Sequence, residues 1–159
     1  MSLAIKSPAF QEGESIPARF ARAGGNAHPP LSWSGLPEGT RELALIVDDP
    51  DAPGSEPFVH WIVHGIPPAT SELPEGTGSL SSGLHQGRNS FGNIGYDGPA
   101  PPPGAPHHYH FKLFALDRPI QPTGVLDRSS VFRAIEGHAL AQAELVGVFQ
   151  TGKGQSGDS

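Results

Sequence analysis

The 159-residue chain contains no cysteine, which excludes disulfide bonds, thiolate metal ligands and a cysteine nucleophile. No stretch approaches the ~18 consecutive apolar residues of a membrane-spanning helix, so the sequence does not predict an integral membrane protein. The chain has no run of Lys and Arg and a formal net charge of −6, which disfavours a nucleic-acid-binding surface. The first ten residues lack the apolar segment of a secretory signal, so we expect a cytoplasmic location.

Glycine and proline, in contrast, are abundant. The 21 Gly and 18 Pro form about a quarter of the chain, against a usual ~12%. Leu, Ile, Val and Phe together form about 23% of the residues, just above the ~20% below which disorder is indicated. Charged residues make up only 16%, so charge repulsion is weak. The sequence therefore predicts one loop-rich domain over residues 1–150 and a disordered tail over residues 151–159.

Turn residues divide the chain into short apolar runs of the kind that form strands. These runs are Leu3–Lys6, Leu31–Ser34, Leu43–Val47, Phe58–Ile66, Tyr109–Leu116 and a closing run, Val146–Phe149. One helix is predicted where Ser129 or Ser130 can cap its start and Gly137 suits its end. The pattern favours a mainly β fold, either a β-sandwich or a partly closed barrel, with one or two short helices.

Carboxylates follow the predicted strand Leu43–Val47. Asp49 and Asp51 lie in the segment Asp48-Asp49-Pro50-Asp51-Ala52-Pro53. On its own this segment is typical of a turn in which aspartates accept hydrogen bonds from nearby backbone N–H groups. Because it follows a strand, it is also expected at the rim of a sheet, where binding sites are commonly built.

Two histidines occupy the next predicted strand. His60, Ile62 and His64 share one parity and therefore one face of a regular strand. The rise per residue places His60 and His64 ~13 Å apart, too far to bind one metal ion directly. At most one of them belongs to a given pocket, and taken alone each is more typical of a buried histidine with a satisfied hydrogen bond.

A stretch rich in glycine and proline precedes the strand Tyr109–Leu116. Eight of the twelve residues from Gly95 to Pro106 are Gly or Pro. The prolines stiffen this loop, and Gly98 can bring a backbone N–H close to an anion. A rigid connector or a polyproline-type recognition segment is the alternative.

Three histidines and a tyrosine follow this loop. In a strand, His107 and Tyr109 share one face, whereas His108 and His110 share the other. The His-x-His pair of His108 and His110, with acidic partners, keeps a zinc site as the second interpretation. The first interpretation needs no metal and no cofactor.

Together these groups suit a small anion such as phosphate. Imidazole, phenol and backbone N–H groups can all donate hydrogen bonds to its oxygens. Nearby carboxylates would raise the pKa of a histidine and would also repel a dianion. This charge balance favours a monoanionic phosphodiester, a protonated phosphate or a phosphorylated headgroup that carries an amine.

The order of short motifs resembles the phosphatidylethanolamine-binding protein family, in its bacterial and archaeal branch that is often called Raf-kinase-inhibitor-like. The resemblance runs from about Ser7 to Phe149 and rests on these segments: Asn26-x-x-Pro29-Pro30-Leu31-Ser32-Trp33, Leu36-Pro37-Glu38-Gly39-Thr40, Asp49-Pro50-Asp51-Ala52-Pro53, His60-Trp61, Gly95-Tyr96-Asp97-Gly98-Pro99, Pro102-x-Gly104-x-x-His107-x-Tyr109-x-Phe111, Ala115-Leu116-Asp117 and Glu136-Gly137-His138.

The resemblance implies a fold of two packed antiparallel sheets, one larger than the other, and a pocket for phosphate, phosphorylethanolamine or acetate. The residues that match the family's ligand-binding positions are Asp49, Asp51, His60, Gly98, His107 and Tyr109. The sequence departs from the family at His108, where arginine is usual, at His64-Gly65 and at Ala100. A homodimer is expected from the resemblance alone.

Three functions follow from these observations. The leading one is a regulatory protein that binds a small anion without turnover, because the chain lacks an evident catalytic nucleophile and its base. The second is an acid–base hydrolase that pairs Asp49 with His60 or His107. The third, suggested by the resemblance, is an interaction protein that inhibits a kinase or a protease.

Overall fold

The computed structural model describes residues 2–78, 80, 83–121 and 124–152. Within them the chain is mainly strand, which confirms the predicted fold class. In chain order the elements are β1 (Ala4–Lys6), a short 3-10 helix (Ala18–Phe20), β2 (Leu31–Ser34), β3 (Glu42–Asp49), β4 (Phe58–Ile66), β5 (Glu72–Leu73), β6 (His85–Gln86), β7 (His107–Leu116), α1 (Arg128–Ile135) and β8 (Ala139–Phe149). Most of the expected disordered tail, residues 153–159, lies outside the described part.

The strands form two antiparallel sheets of different size, as the sequence resemblance implies. The smaller sheet has the order β1-β2-β5, and the larger has the order β6-β4-β3-β7-β8. All eight residues of β3 are buried because both faces of the large sheet are covered. Leu45 and Val47 pack toward the small sheet with Trp33, whereas Ile46 packs toward α1 with Val131.

The cap of the helix α1 lies two or three residues earlier than the sequence predicts. Its cap is Asp127, whose carboxylate accepts from the Ser130 N–H at 3.0 Å, while the Asp127 N–H donates to the Ser130 hydroxyl at 2.8 Å. This reciprocal pair satisfies two backbone groups at once, and Ser129 has no such role. The predicted end is confirmed, since Gly137 has a positive φ of 80° just beyond the last helical turn.

The closing strand is longer than the predicted run Val146–Phe149. β8 spans Ala139–Phe149 and pairs with β7 along its whole length. Gly147 is needed inside it because a Cβ there would lie 2.7 Å from the Phe10 ring and 2.6 Å from Ile16. The predicted strand is confirmed, and its hydrogen-bonded ladder with β7 extends it back to Ala139.

Several residues that were expected to bind an anion lie where β3 ends and where its neighbours β4 and β7 begin. Asp49, at the end of β3, pairs with Phe58 at the start of β4. On the other side of β3, Asp48 pairs with His110 near the start of β7. The antiparallel order thus places the carboxylates after β3 beside the first residues of both neighbouring strands.

A β-bulge in β4 determines where His60 lies. Val47 pairs with Trp61, but Asp48 pairs with Val59, so His60 is the extra residue between two pairs. Val59 packs with Ile62 in the core beneath α1, whereas the His60 ring contacts Tyr109 with ring centroids 5.1 Å apart. The predicted sharing of one face by His60 and Ile62 is therefore wrong, because the bulge turns His60 toward the other side of the sheet.

Candidate functional site

A pocket of about 110 Å³ opens at this end of the three central strands of the large sheet. Its polar lining consists of Asp49, His60, His107 and Tyr109, and its apolar lining consists of Ala52, Pro53, Phe58, Ala100 and Pro101. The volume exceeds the ~10–15 Å³ that a single water needs and falls below the ~300–1,000 Å³ of pockets for drug-sized ligands. The pocket therefore matches a small polar ligand or one headgroup of a larger molecule.

Asp49 and His107 form a hydrogen-bonded pair in the lining of the pocket. The Nδ1–H of His107 donates to Oδ2 of Asp49 at 2.6 Å, and the Asp49 side chain is only 3% exposed. The other carboxylate oxygen accepts from the backbone N–H of Asp51 at 2.8 Å. Because Nδ1 is committed to Asp49, only Nε2 of His107 is available to a ligand.

His60 is held by the backbone of the Gly95–Gly98 segment. Its Nδ1 lies 2.7 Å from the carbonyl oxygen of Asp97, and the residue is 3% exposed. Burial lowers the pKa of His60, and this effect outweighs the opposing influence of the Asp97 carbonyl and the nearby Asp49 carboxylate. A neutral imidazole in a fixed orientation therefore borders the pocket.

Tyr109 supplies a hydroxyl group to the same pocket. The side chain is almost fully buried, and burial, followed by the charge of Asp49, raises the pKa of its phenol well above the usual value. The phenol therefore keeps its proton and can donate a hydrogen bond. No residue in the described part of the chain accepts a hydrogen bond from it.

The Asp97 carboxylate stabilises the loop that holds His60. It accepts hydrogen bonds from the side-chain amides of Asn26, Asn89 and Asn93 at 3.0, 2.8 and 2.9 Å. Burial would raise the pKa of Asp97, but these three donors and Arg22 outweigh it and hold the pKa below its usual value. Sequence reasoning missed this role, although Asn26 and Asp97 both belong to the motifs that carry the family resemblance.

Gly98 does not offer a free N–H to the pocket. Its N–H donates to Oδ1 of Asn26 at 2.7 Å, and Gly98 is absent from the described lining of the pocket. A Cβ at this position would lie 2.0 Å from the carbonyl oxygen of Phe20. The expectation of a direct anion contact is thus corrected: glycine is required here because the loop packs tightly on the 3-10 helix.

Asp51 also lies outside the pocket lining. Its Oδ2 accepts from the backbone N–H of His108 at 2.8 Å and from Nδ1 of the same residue at 2.7 Å. Both side chains are exposed, at 41% and 51%. Asp51 therefore fixes the start of β7 and positions His107, and His108 occupies the rim in place of the arginine usual in the family.

The histidines considered for zinc contact different carboxylates. His108 contacts Asp51, whereas Nδ1 of His110 lies 3.2 Å from Oε2 of Glu144. The part of the chain that the structure describes contains no group of three or more side chains arranged to hold a metal ion. It also contains no helix long and apolar enough to cross a membrane.

Thr151 holds one of the apolar segments that line the pocket. The hydroxyl of Thr151 donates to the carbonyl oxygen of Pro101 at 2.7 Å, and Pro101 and Ala100 line the pocket. A lining that combines polar and apolar side chains is suited to a small ligand with a charged end and an uncharged substituent.

The same motifs and geometry occur in known proteins. The profile of the family described as phosphatidylethanolamine-binding protein matches residues 6–150. This chain belongs to the phosphatidylethanolamine-binding protein family. Among its relatives is a UPF0098 protein of Pyrococcus horikoshii, which is 45% identical over 156 residues, a stretch that covers 94% of this chain and 77% of the relative.

Solved structures of family members agree with the fold described above. The Chlamydia trachomatis protein CT736 superposes with a TM-score of 0.86 at 36% identity and covers 94% of this chain and 98% of its own. Escherichia coli YbcL superposes with a TM-score of 0.89 at 35% identity and covers 95% of this chain and 99% of its own. The family resemblance stated from the sequence is confirmed.

Proposed function

We propose that this phosphatidylethanolamine-binding family protein binds a small oxyanion, such as phosphate or a phosphorylated headgroup, and acts through binding without catalysis. The observation that carries the proposal is that His60, His107 and Tyr109 line one small pocket at the end of the central strands. His60 lies on β4, and His107 and Tyr109 lie on β7. Each has a polar atom that makes no hydrogen bond to a described residue.

The shape and charge of the pocket support an anion with a single charge. Tyr109 is a hydrogen-bond donor, and the ring of His107 adds a second polar contact beside it. Asp49 brings a negative charge to the lining, and no Lys or Arg is among the described lining residues. A dianion would meet repulsion without a compensating cation, so a monoanionic ligand or one with an attached amine suits the site better.

The residue types around the pocket support binding over turnover. Among the described lining residues there is no Ser, Thr or Cys to act as a nucleophile. The ring of His60 is packed against Phe58 and Phe91 as well as Tyr109. This aromatic enclosure fixes the imidazole in one orientation, which favours selective recognition.

Calorimetric titration with phosphate and O-phosphorylethanolamine tests the proposal. We expect saturable binding to the wild type and a loss of at least about tenfold in affinity for His60→Ala, the scale of one lost buried hydrogen bond. The matched control is His108→Ala, because His108 is exposed on the rim and should keep the wild-type affinity. No binding to the wild type, or unchanged binding in His60→Ala, contradicts the proposal.

An acid–base hydrolase is the second candidate, and one observation favours it. The 2.6 Å contact between His107 and Asp49 is the arrangement that orients an imidazole as a general base. A panel of phosphodiester and carboxylic ester substrates distinguishes the two functions. Turnover that is lost in Asp49→Asn would support the hydrolase, whereas no turnover on any substrate would support the binding protein.

The proposed regulatory role includes a homodimer in the cytoplasm and a kinase or protease as protein partner. These proposals rest on the family resemblance and on composition. Light scattering of the purified protein tests the dimer, and a peak at the mass of one chain would contradict it. Inhibition assays with wild-type and pocket variants test the partner, because a regulatory pocket should change inhibition when it is filled or altered.

A further inference from the structure

The hydrogen-bond partner of His60 fixes which of its ring nitrogens carries a proton. A carbonyl oxygen can only accept, so the 2.7 Å contact with the Asp97 carbonyl requires a proton on Nδ1. In the neutral imidazole the other nitrogen, Nε2, then has a lone pair and no proton. Nε2 makes no hydrogen bond to any described residue, and it is not among the described polar atoms that are sealed from solvent without a partner.

The Asp97 carbonyl cannot easily turn away from His60. The Asp97 carboxylate is anchored by three asparagine amides. The backbone N–H of Asp97 donates to the carbonyl oxygen of His60 at 3.1 Å, and the next N–H, that of Gly98, is bound by Asn26. The loop and β4 are therefore joined in both directions, so His60 presents the same nitrogen in the empty and the filled pocket.

The charged and titratable groups around His60 lie on several elements. Asp49 lies at the end of β3, His107 and Tyr109 lie on β7, and Asp97 lies in the adjoining loop with Arg22 beyond it, 3.8 Å from the Asp97 carboxylate. The backbone groups of Asp97 and Gly98 and the carboxylates of Asp49 and Asp97 favour a charged imidazole, but burial of the ring has the largest effect and lowers its pKa. The neutral form with an accepting Nε2 is therefore the form that a ligand meets near neutral pH.

We propose that the pocket selects oxyacids that keep an ionisable O–H group, such as monoanionic phosphate, phosphate monoesters or phosphonates, over equally charged anions without one. The proposal rests on the proposed anion-binding function and names its ligand class. The ligand O–H donates to Nε2 of His60, while another ligand oxygen accepts from the Tyr109 hydroxyl. A phosphodiester or a sulfonate has no hydrogen to donate and leaves the lone pair of His60 facing an anionic oxygen.

Methylphosphonate and methanesulfonate form a matched pair of probes. They have nearly the same shape, and each carries one negative charge at about pH 6.5, because the second pKa of a phosphoryl group is near 6 and that of an alkylphosphonate is higher. They differ in the central atom, phosphorus or sulfur, and in hydrogen bonding only the phosphonate carries an O–H group that can donate. We expect methylphosphonate to bind at least about tenfold more tightly, the scale of one satisfied against one unsatisfied hydrogen bond.

Proton uptake provides a second measurement on the wild-type protein. Above the second pKa of the ligand, affinity for methylphosphonate should fall about tenfold per pH unit, because only the protonated form binds. Calorimetry at about pH 8.5 in two buffers of different ionisation enthalpy should show about one proton taken up per bound phosphonate. Equal affinities of the two probes at the lower pH, or binding of phosphonate without proton uptake at the higher pH, would overturn the proposal.

The variant His60→Gln tests the assignment to this residue. A glutamine amide can present either a donor or an acceptor, so the preference for methylphosphonate should shrink to within about threefold. The control His108→Gln lies outside the pocket lining and should keep the full preference. If neither probe nor phosphate binds the wild type, the proposed anion-binding function fails; if both probes bind equally well, only the selection for an O–H group fails.

Discussion

His60 and His64 lie four residues apart on β4 and are equally buried, at 3% and 2% exposure, yet their surroundings differ. Nδ1 of His60 is paired with the Asp97 carbonyl. Nδ1 of His64 has no partner among the described residues, and its ring stacks on His85 with centroids 5.0 Å apart. Burial alone therefore does not make a histidine suitable for binding a ligand. A histidine is suitable when one ring nitrogen is hydrogen-bonded to the protein and the other is left available to the ligand.

The backbone conformation next to each histidine also differs between the two ends of β4. At the His60 end a β-bulge turns the side chain into the pocket. At the His64 end the following residue, Gly65, has a φ of 77°, and a Cβ there would lie 2.8 Å from the His85 ring. The first irregularity exposes an imidazole to a ligand, whereas the second allows two imidazoles to stack.

Removing the Asp97 carboxylate, which stabilises the loop that contacts His60, should have the largest effect on stability. Asp97→Ala would leave the amides of the buried Asn89, the half-buried Asn26 and the exposed Asn93 without their acceptor, together with Arg22. We expect a loss of about 3–5 kcal/mol in the free energy of unfolding, the range for breaking a buried charged network. Urea unfolding measures it, with Asp117→Ala as the control, because Asp117 pairs with His138 at the surface and should lose less than about 1 kcal/mol. A loss of similar size in both variants would contradict this contrast.

The His64 end should be sensitive to acid. Burial and the neighbouring His85 lower the pKa of His64 from 6.5 to about 4. Its contribution to stability is complete above pH 6.5, the unfolded value, and is lost as the pH falls toward 4, because the unfolded chain then binds the proton more readily. His64→Phe should therefore lose about 2 kcal/mol less stability than the wild type between about pH 7 and 4.5. Parallel loss in the two proteins in urea unfolding would show that His64 does not titrate in this way.

Ligand affinity should separate the two histidines cleanly. His60→Phe fills its site but removes the accepting nitrogen, and we expect phosphate affinity to fall by at least about tenfold. His64→Phe should leave the affinity within about twofold, since His64 is absent from the described pocket lining. Titration calorimetry on the pair decides the matter, and equal losses would mean that both residues act only through the stability of β4.

The smallest expected effect concerns the stacked pair itself. In His85→Gln an uncharged side chain of similar size replaces the imidazole that stacks on His64. The pKa of His64 should rise only slightly from about 4, because burial is the larger cause of its shift and the charge of His85 the smaller. An NMR titration of the His64 ring measures this, and a return to the usual histidine pKa would show that the charge of His85 dominates.

Local patterns were sufficient to predict the main strands and the family. Turn residues on either side of each run predicted β2 and β4 with their observed bounds. β4 is a continuous run because both faces of the large sheet are covered, whereas in β2 of the small sheet Leu31 and Trp33 are buried and the serines between and after them are less so. The pairing of Asp49 with His107 was reached only as an alternative, since the sequence left open whether His60 or His107 was the partner. The sequence predicted that these strands exist, but β3, β7 and β8 all begin earlier than predicted, and their pairing partners could not be predicted.

Long-range hydrogen bonds explain what sequence reasoning missed. Asn26 lies more than seventy residues from Asp97 and Gly98 in the chain, so no local spacing indicates that it binds both. The same contact removes the Gly98 N–H from the pocket. Asp51 was grouped with Asp49 by proximity in sequence, but the turn after β3 directs it to the backbone of His108. The bulge at His60 likewise arises from pairing with β3 and leaves no mark in the period of β4.

The register between β3 and β7 has a consequence for how the sequence of this protein can change. His107 and Tyr109 share their parity with Phe111 and Leu113, which belong to the core beneath the small sheet. Inserting or deleting one residue between the pocket and that core would rotate both pocket side chains to the opposite face of β7. Single substitutions can therefore change the pocket one residue at a time. A change of length at the start of β7 would remove both His107 and Tyr109 from the pocket and disrupt the neighbouring core packing.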